Sequence, residues 1–199
     1  MRVEPLVTMG QLTATLNPLG WTIPVVPELD DLTVGGLVMG TGIESSSHQY
    51  GLFQHICTSY ELVLSDGIVV TCSSEENSDL FYSVPWSYGT LGILTAVEIR
   101  LIPAKKYVKL TYKPVRQLEK ITQETELASK NLENEFVETL VYGKDDAVVM
   151  TGVQTDDVDN RKVRLSQSVL ILVEILGKCD REMVQTMVFQ TRGGKFEEK

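Results

Sequence analysis

The spacing of apolar residues changes repeatedly along this chain, and each change predicts an element. Arg2 to Val7 opens with strand character. Leu12, Leu16 and Leu19 then recur at helical spacing from Gln11 until Gly20, a residue whose left-handed freedom ends helices. Pro24 and Pro27 push their predecessors out of the helical region, so residues 21–27 are expected to be extended. Tyr60 to Leu64 and Ile68 to Cys72 flank Ser65-Asp66-Gly67 and predict a β-hairpin, because Asp-Gly supplies the backbone angles of a tight turn. Ser73 to Glu76 has the Ser-x-x-Glu form of a capping box, which predicts a short helix carrying Asn77, Asp79, Leu80 and Phe81. Ile93 to Ile102 predicts a strand that Pro103 terminates.

From Lys105 lysines become frequent and the pattern turns to β-α-β-β. The expected strands are Tyr107 to Tyr112, Phe136 to Tyr142 and Ala147 to Val153, with a helix from about Val115 to Leu132 and a turn at Gly143-Lys-Asp-Asp. The expected boundaries give three segments: 1–104, 105–158, and 159–199, where the signal blurs into charged and helical character. No internal repeat or low-complexity tract interrupts them.

Residues 32–47 change the picture from fold to chemistry. This stretch holds Gly35, Gly36, Gly40 and Gly42 and no lysine or arginine. Glycines let backbone N–H groups approach a ligand through positive φ angles, so the run reads as a main-chain cradle for an anionic group such as a pyrophosphate. It lacks the Gly-Lys-Ser/Thr ending of a phosphate-binding P-loop. Gly40-Thr-Gly42-Ile-Glu-Ser45 is a near miss for a dinucleotide fingerprint, with serine at the third glycine and Glu61 near the place of a ribose-binding acid. The serines that follow would make a poor helix behind such a turn. A purely structural glycine turn is the bland alternative, and Ser45, Ser46 and Ser47 as bare sequence are caps or solvated hydroxyls.

Composition narrows the partners. The 199 residues, 43% hydrophobic, suffice for one sizeable core or one domain and part of another. Net charge is −9, and within residues 1–99 eleven acidic side chains face only Arg2. Such a surface repels a phosphodiester backbone, which excludes nucleic acid as the expected partner. Cys57, Cys72 and Cys179 are odd in number and widely spaced, which argues against a disulfide framework or zinc cluster and for a reducing, cytoplasmic setting. His48 and His55, seven apart, have no recognised metal spacing, and Asp30 and Asp31 stand in a turn context where carboxylates serve as caps. No serine lies in a nucleophile elbow, no metal site is expected, and no catalytic residue is assigned. The apolar stretch from Ser168 to Gly177 is too short to span a bilayer, which takes about 20 residues, so the chain is expected to be soluble.

Four blocks, Pro27 to Gly51, Glu61 to Gly67, Asn77 to Phe81 and Gly89 to Thr95, resemble in order and spacing the FAD-binding (PCMH-type) domain of the vanillyl-alcohol-oxidase flavoproteins. Arg2 to Gln11, Gly51 to Thr58 and Ile102 to Leu110 favour the sterol-reducing members of that family over the sugar-oxidising ones. The resemblance covers residues 1 to about 155. It implies an α+β fold: the second part of a PCMH-type FAD-binding domain, followed by the start of a β-α-β-β (ferredoxin-like) substrate cap. By position, Thr33, Val34, Gly35, Gly36, Gly40, Thr41, Gly42, Ile43, Glu44, Ser45 and Ser46 would line the pyrophosphate and flavin. Gly89, Gly92, Ile93 and Val97 would approach the nucleotide end. The implied chemistry is reduction of a sterol side-chain double bond by hydride from NADPH through non-covalent FAD, a cofactor the protein positions.

The family's first phosphate loop, its membrane anchor for the endoplasmic reticulum and most of its cap have no counterpart here. A fragment of this kind is expected to bind FAD weakly and not to turn over. Two rival functions are a flavin-dependent oxidase of an alcohol or sugar, and a non-catalytic truncated product that acts by protein interaction.

Overall fold

The computed structural model describes residues 1–157 and two short strands, at 163–164 and 185–190. It forms two compact units, the first over Met1–Ala104 and the second beginning at Lys105.

The first unit runs β1 (Arg2–Val3), α1 (Met9–Leu16), a 3-10 turn (Asn17–Leu19), β2 (Trp21–Thr22), α2 (Val34–Met39), α3 (Ser47–Tyr50), a 3-10 turn (Phe53–Ile56), β3 (Cys57–Val63), β4 (Val69–Ser73), α4 (Ser78–Ser83), β5 (Ile93–Ile99) and β6 (Ile102–Pro103). Its main sheet is antiparallel in the order β1-β5-β3-β4, and β2 pairs with β6 separately. Thr8 explains where α1 starts. Its hydroxyl accepts the Gln11 N–H while the Gln11 side chain accepts the Thr8 N–H, which satisfies two donors a helix start otherwise leaves open. Gly20 ends the following turn at φ 77°.

Met9, Leu12 and Leu16 of α1 and Val34, Leu37 and Val38 of α2 recur at three- and four-residue spacing, and all are buried in one core with Tyr60, Leu62, Val97 and Ile99. Each such burial contributes about 1.5–3 kcal/mol. Strict alternation along β3 would put Cys57 and Tyr60 on opposite faces, yet both are buried. A register shift at Thr58, where Cys57 pairs Ile99 and Ser59 pairs Glu98, inserts the extra residue that turns both inward.

The hairpin β3–β4 forms as the Asp66-Gly67 signal predicts, with Gly67 at φ 83° and Asp66 Oδ1 accepting the Ile68 N–H at 3.0 Å. Two local expectations need correction. Ser73 accepts the amides of Glu75 and Glu76, but α4 starts only at Ser78, because Asn77 turns left-handed (φ 50°) and sends its amide to Thr71 O. The strand expected over 93–102 breaks after Ile99, and Ile102–Pro103 resumes as β6 against β2.

The second unit runs β7 (Tyr107–Arg116), α5 (Leu118–Lys130), β8 (Phe136–Val141), β9 (Asp146–Thr155), β10 (Val163–Arg164) and β11 (Gln185–Gln190), with sheet order β10-β11-β7-β9-β8. β7 runs past its expected end at Tyr112, carrying Pro114 opposite Val148. Ile121 of α5 packs on Val115, Ala147 and Val149, and Thr125 and Thr139 share a 2.7 Å hydrogen bond between α5 and β8. The helices expected after residue 159 lie outside the described residues.

Candidate functional site

The first half of the glycine run is a helix, and this corrects its expected mechanism. Thr33 caps α2: its hydroxyl accepts the Gly36 N–H at 3.2 Å and its carbonyl the Leu37 N–H at 3.1 Å. The amides of Val34 and Gly35 bond Val7 O and Pro5 O at 3.0 and 2.8 Å, and Gly40 bonds Gly36 O at 2.8 Å. Positive φ is absent from Gly35, Gly36, Gly40 and Gly42. These glycines serve close approach instead: a Cβ on Gly35 would stand 2.8 Å from Pro5 Cβ, and one on Gly42 would stand 3.1 Å from both Leu37 and Phe53. The amides expected to cradle an anion at Val34, Gly35, Gly36 and Gly40 are therefore already bonded. Val34 itself is a core side chain.

The second half behaves differently. Among the described residues, the amides of Thr41, Gly42, Ile43, Ser45 and Ser46 have no hydrogen-bond acceptor in the chain. Glu44 N–H bonds Ser47 Oγ at 2.9 Å. The segment is held by its ends and by its other groups. Gly42 O accepts the Phe53 N–H at 2.9 Å, and Ser46 Oγ donates to Pro24 O at 2.8 Å. Gly42 and Ser46 are buried, and a buried amide left without an acceptor is costly. The segment is thus fixed through its carbonyls and side chains while five of its backbone donors stay open.

The loop after α4 lies against the same helix. Trp86 N–H bonds Val38 O at 3.2 Å and Ser87 Oγ contacts Met39 Sδ at 3.3 Å, which fastens residues 86–87 to the last turn of α2. Gly89 is left-handed (φ 76°), and a Cβ on Gly92 would stand 2.8 Å from Val63 O. Ile93 is exposed at the start of β5. Val97 is fully buried, with its backbone between Val3 and Tyr60.

The cationic side chains of residues 1–104 are Arg2 and Arg100. Arg2 is bound to Glu61 at 2.8 Å, and Arg100 lies over the Tyr50 ring. Glu61 also accepts from Thr95 Oγ1 at 2.7 Å, and Arg2 and Thr95 together hold its carboxyl below the usual range. Glu61 is therefore a sheet-face residue rather than a ribose ligand, and β3 is antiparallel to both neighbours, unlike a βαβ nucleotide site. Burial pushes the Cys57 thiol up to about 12 and raises Cys72 and the Tyr60 hydroxyl as well, so none is poised as a nucleophile. His55 Nδ1 accepts the Leu52 N–H at 2.8 Å. Among the described residues no group of three His, Cys, Asp or Glu can hold a metal.

Trp86 and Tyr88 were not singled out by the sequence reading, yet both adopt positive φ, 67° and 54°, in that loop. The signal available was two aromatics inside a Pro-Trp-Ser-Tyr-Gly run.

Comparison with known proteins agrees with this geometry. Residues 1–73, a range that includes the segment with the open amides, match the family described as FAD binding domain. Over 163 residues the chain is a homologue of the Δ24-sterol reductases. It is 69% identical to Delta(24)-sterol reductase of Mus musculus and 68% identical to that of Homo sapiens, in each case over 82% of this chain and 32% of the relative. It is 50% identical to the Pisum sativum enzyme over 162 residues, covering 76% of this chain and 29% of the relative. The chain thus spans about a third of the length of the curated relatives it matches.

Proposed function

We propose that this chain carries the diphosphate-binding part of an FAD-dependent Δ24-sterol reductase. The carrying observation is the set of acceptor-less amides at Thr41, Gly42, Ile43, Ser45 and Ser46, beside a loop tied to α2, in a unit whose arginines are engaged elsewhere. A diphosphate fits this chemistry, since it brings acceptor oxygens and needs donors from several successive N–H groups. Thr41 and Ile43 are exposed and carry the amides such a ligand would reach first.

When bound, FAD would supply hydride transfer, with NADPH as donor and a sterol side-chain double bond as acceptor. The chain's own residues hold the nucleotide. Thr41, Gly42, Ile43, Ser45 and Ser46 donate to the diphosphate, while Ser46 Oγ on Pro24 and Phe53 N–H on Gly42 O keep the segment in place. FAD is non-covalent in this reading. The second unit, with its β7-α5-β8-β9 order, would be the start of a ferredoxin-like cap on the sterol side. Among the described residues no helix is long and apolar enough to cross a membrane. Attachment to the endoplasmic reticulum, where the reading puts the whole enzyme, would rest on residues other than these.

The test is equilibrium dialysis of FAD against the chain and two variants. Ile43→Pro removes one exposed donor, and Ile43→Ala keeps it. We expect micromolar binding by the parent and by Ile43→Ala, and binding weaker by about tenfold in Ile43→Pro, in line with a charge-assisted hydrogen bond of about 1.5–3 kcal/mol. Circular dichroism confirms that Ile43→Pro stays folded. No FAD binding by the parent, or equal binding by the two variants, overturns the proposal.

A further inference from the structure

We propose that residues 168–177 pack as a crossover helix on the face of the second unit's sheet opposite α5, an inference independent of the FAD reading above. The two faces of that sheet differ in character. Ile121, Glu124 and Thr125 of α5 meet Val115, Val149, Lys113 and Thr139, which share one face. Side chains alternate along a strand, so Val108, Leu110, Tyr112, Phe136, Val148 and Met150 stand on the other. Gly152 lets two of these close over the backbone, since a Cβ there would stand 2.7 Å from Leu110 Cδ2 and 3.2 Å from Phe136 Cβ. Side chains on a bare sheet face keep contact with water. Val148 is 1% and Tyr112 5% exposed, so this apolar face is covered.

The strands at the sheet's far edge identify the cover. β10 and β11 are parallel neighbours, Val163 beside Val188 and Arg164 beside Phe189. A parallel pair needs a crossover of about a dozen residues or more, and residues 165–184 are the connection here. Such crossovers are right-handed almost without exception. β7 and β8 are parallel as well, each antiparallel to β9 between them, and α5 is their crossover. Both connections advance toward β8, but β10 points opposite to β7, because β11 is antiparallel to β7. Two crossovers of one hand that advance the same way from oppositely directed strands lie on opposite faces. The 165–184 connection therefore belongs on the face of Tyr112 and Val148. Its middle has the matching chemistry, running Val169-Leu-Ile-Leu-Val173 and Ile175-Leu176 around the single charge of Glu174. As a helix, residues 168–177 rise about 15 Å. The chain must climb about 13 Å, from the level of Phe189 back to Gln185. The apolar face is then core of the second unit, closed from within the chain, rather than a surface open to a ligand.

Photo-crosslinking of the full chain tests the placement without altering residues 168–177. Leu110 or Met150 on the apolar face, and Lys109 or Thr151 on the α5 face, are each replaced by the photoreactive p-benzoyl-phenylalanine. Trypsin cuts after Arg164 and Lys178 and releases residues 165–178 as one peptide, because no lysine or arginine lies between. Irradiation of an equal mixture of 15N-labelled and unlabelled chain separates crosslinks within a chain from those between chains. We expect the 165–178 peptide to be crosslinked within one chain from Leu110, Met150 or both, and from neither Lys109 nor Thr151. Two positions on the apolar face keep the test open if one replacement perturbs folding. Absence of that crosslink from both Leu110 and Met150, its appearance from Lys109 or Thr151, or crosslinks joining labelled to unlabelled chain overturns the proposal. FAD dialysis of the parent decides the other reading, and neither result bears on the other.

Discussion

The glycine run at 33–42 and the aromatic loop at 84–92 invert each other's backbone logic. Gly35, Gly36, Gly40 and Gly42 keep to negative φ and are small because other backbone and side-chain atoms crowd them. Trp86 and Tyr88 keep large side chains in the conformation that suits glycine. In the run, residue size is set by the fold, and replacing hydrogen with a methyl disturbs packing. In the loop, residue identity runs against the local preference of the chain, and replacing an aromatic with glycine should help the fold.

The largest test of the contrast is Gly35→Ala. Its Cβ would stand 2.8 Å from Pro5 Cβ and 3.1 Å from Pro5 O, and the amide of residue 35 is bonded to that same carbonyl. Pro5 cannot retreat without loosening that bond, so we expect a loss of about 3 kcal/mol, the upper end for overpacking. Urea unfolding measures it. A loss under about 0.5 kcal/mol would mean that Gly35 is not placed by packing.

Next in size is Thr33→Ala, which removes the hydroxyl that accepts the Gly36 N–H. Loss of such a cap costs about 1 kcal/mol. Thr33→Ser keeps the acceptor and should recover most of it. Because the cap lies at the far end of α2 from the open amides, FAD affinity should follow stability and not fall further.

This part of the site also shows where sequence reasoning reached its limit. The hairpin at Asp66-Gly67, the stop at Gly20 and the β7-α5-β8-β9 order were legible because each rests on neighbours in sequence. The bonds from Val34 to Val7 and from Gly35 to Pro5 join segments nearly thirty residues apart, and Thr8 and Thr33, which cap two separate helices, face each other in a β-bridge. No local pattern announces a pairing of that range, so a capped helix looked like a loop of flexible glycines. The amides without an acceptor begin only after that helix, at Thr41. Trp86 and Tyr88 were missed because left-handed φ at an aromatic residue has no propensity signal at all. Ser73 misled in the other direction: its hydroxyl closes a turn after β4 and caps no helix.

A smaller effect of opposite sign is expected in the loop. Tyr88→Gly removes a left-handed strain of about 1–2 kcal/mol and adds about 0.5–1 kcal/mol of unfolded-state entropy, for a net gain of about 0.5–1 kcal/mol. Tyr88 is 81% exposed, so little packing is lost with it. The same urea titrations used for Gly35→Ala give the comparison directly. Two glycine-related substitutions of opposite sign, one adding a methyl and one removing a ring, would establish the inversion, and destabilisation by both would break it.

The smallest effect belongs to the polar sheet face, where neither crowding nor strain operates. Glu61 is held below the usual carboxylate range by Arg2 and Thr95, which favours its charged form in the folded state. Its contribution is therefore present above the ordinary glutamate range and is lost as pH falls through the lowered folded value. Arg2 is about half exposed, so water and salt screen the pair and its contribution should be less than that of the Thr33 cap. Glu61→Gln cannot carry the charge at any pH. Its stability should lie slightly below that of the parent at pH 7, and the gap should close as the titration is carried toward pH 3. A gap that stays constant across that range would show that shape and hydrogen bonding at residue 61, rather than its charge, hold Arg2 to the sheet.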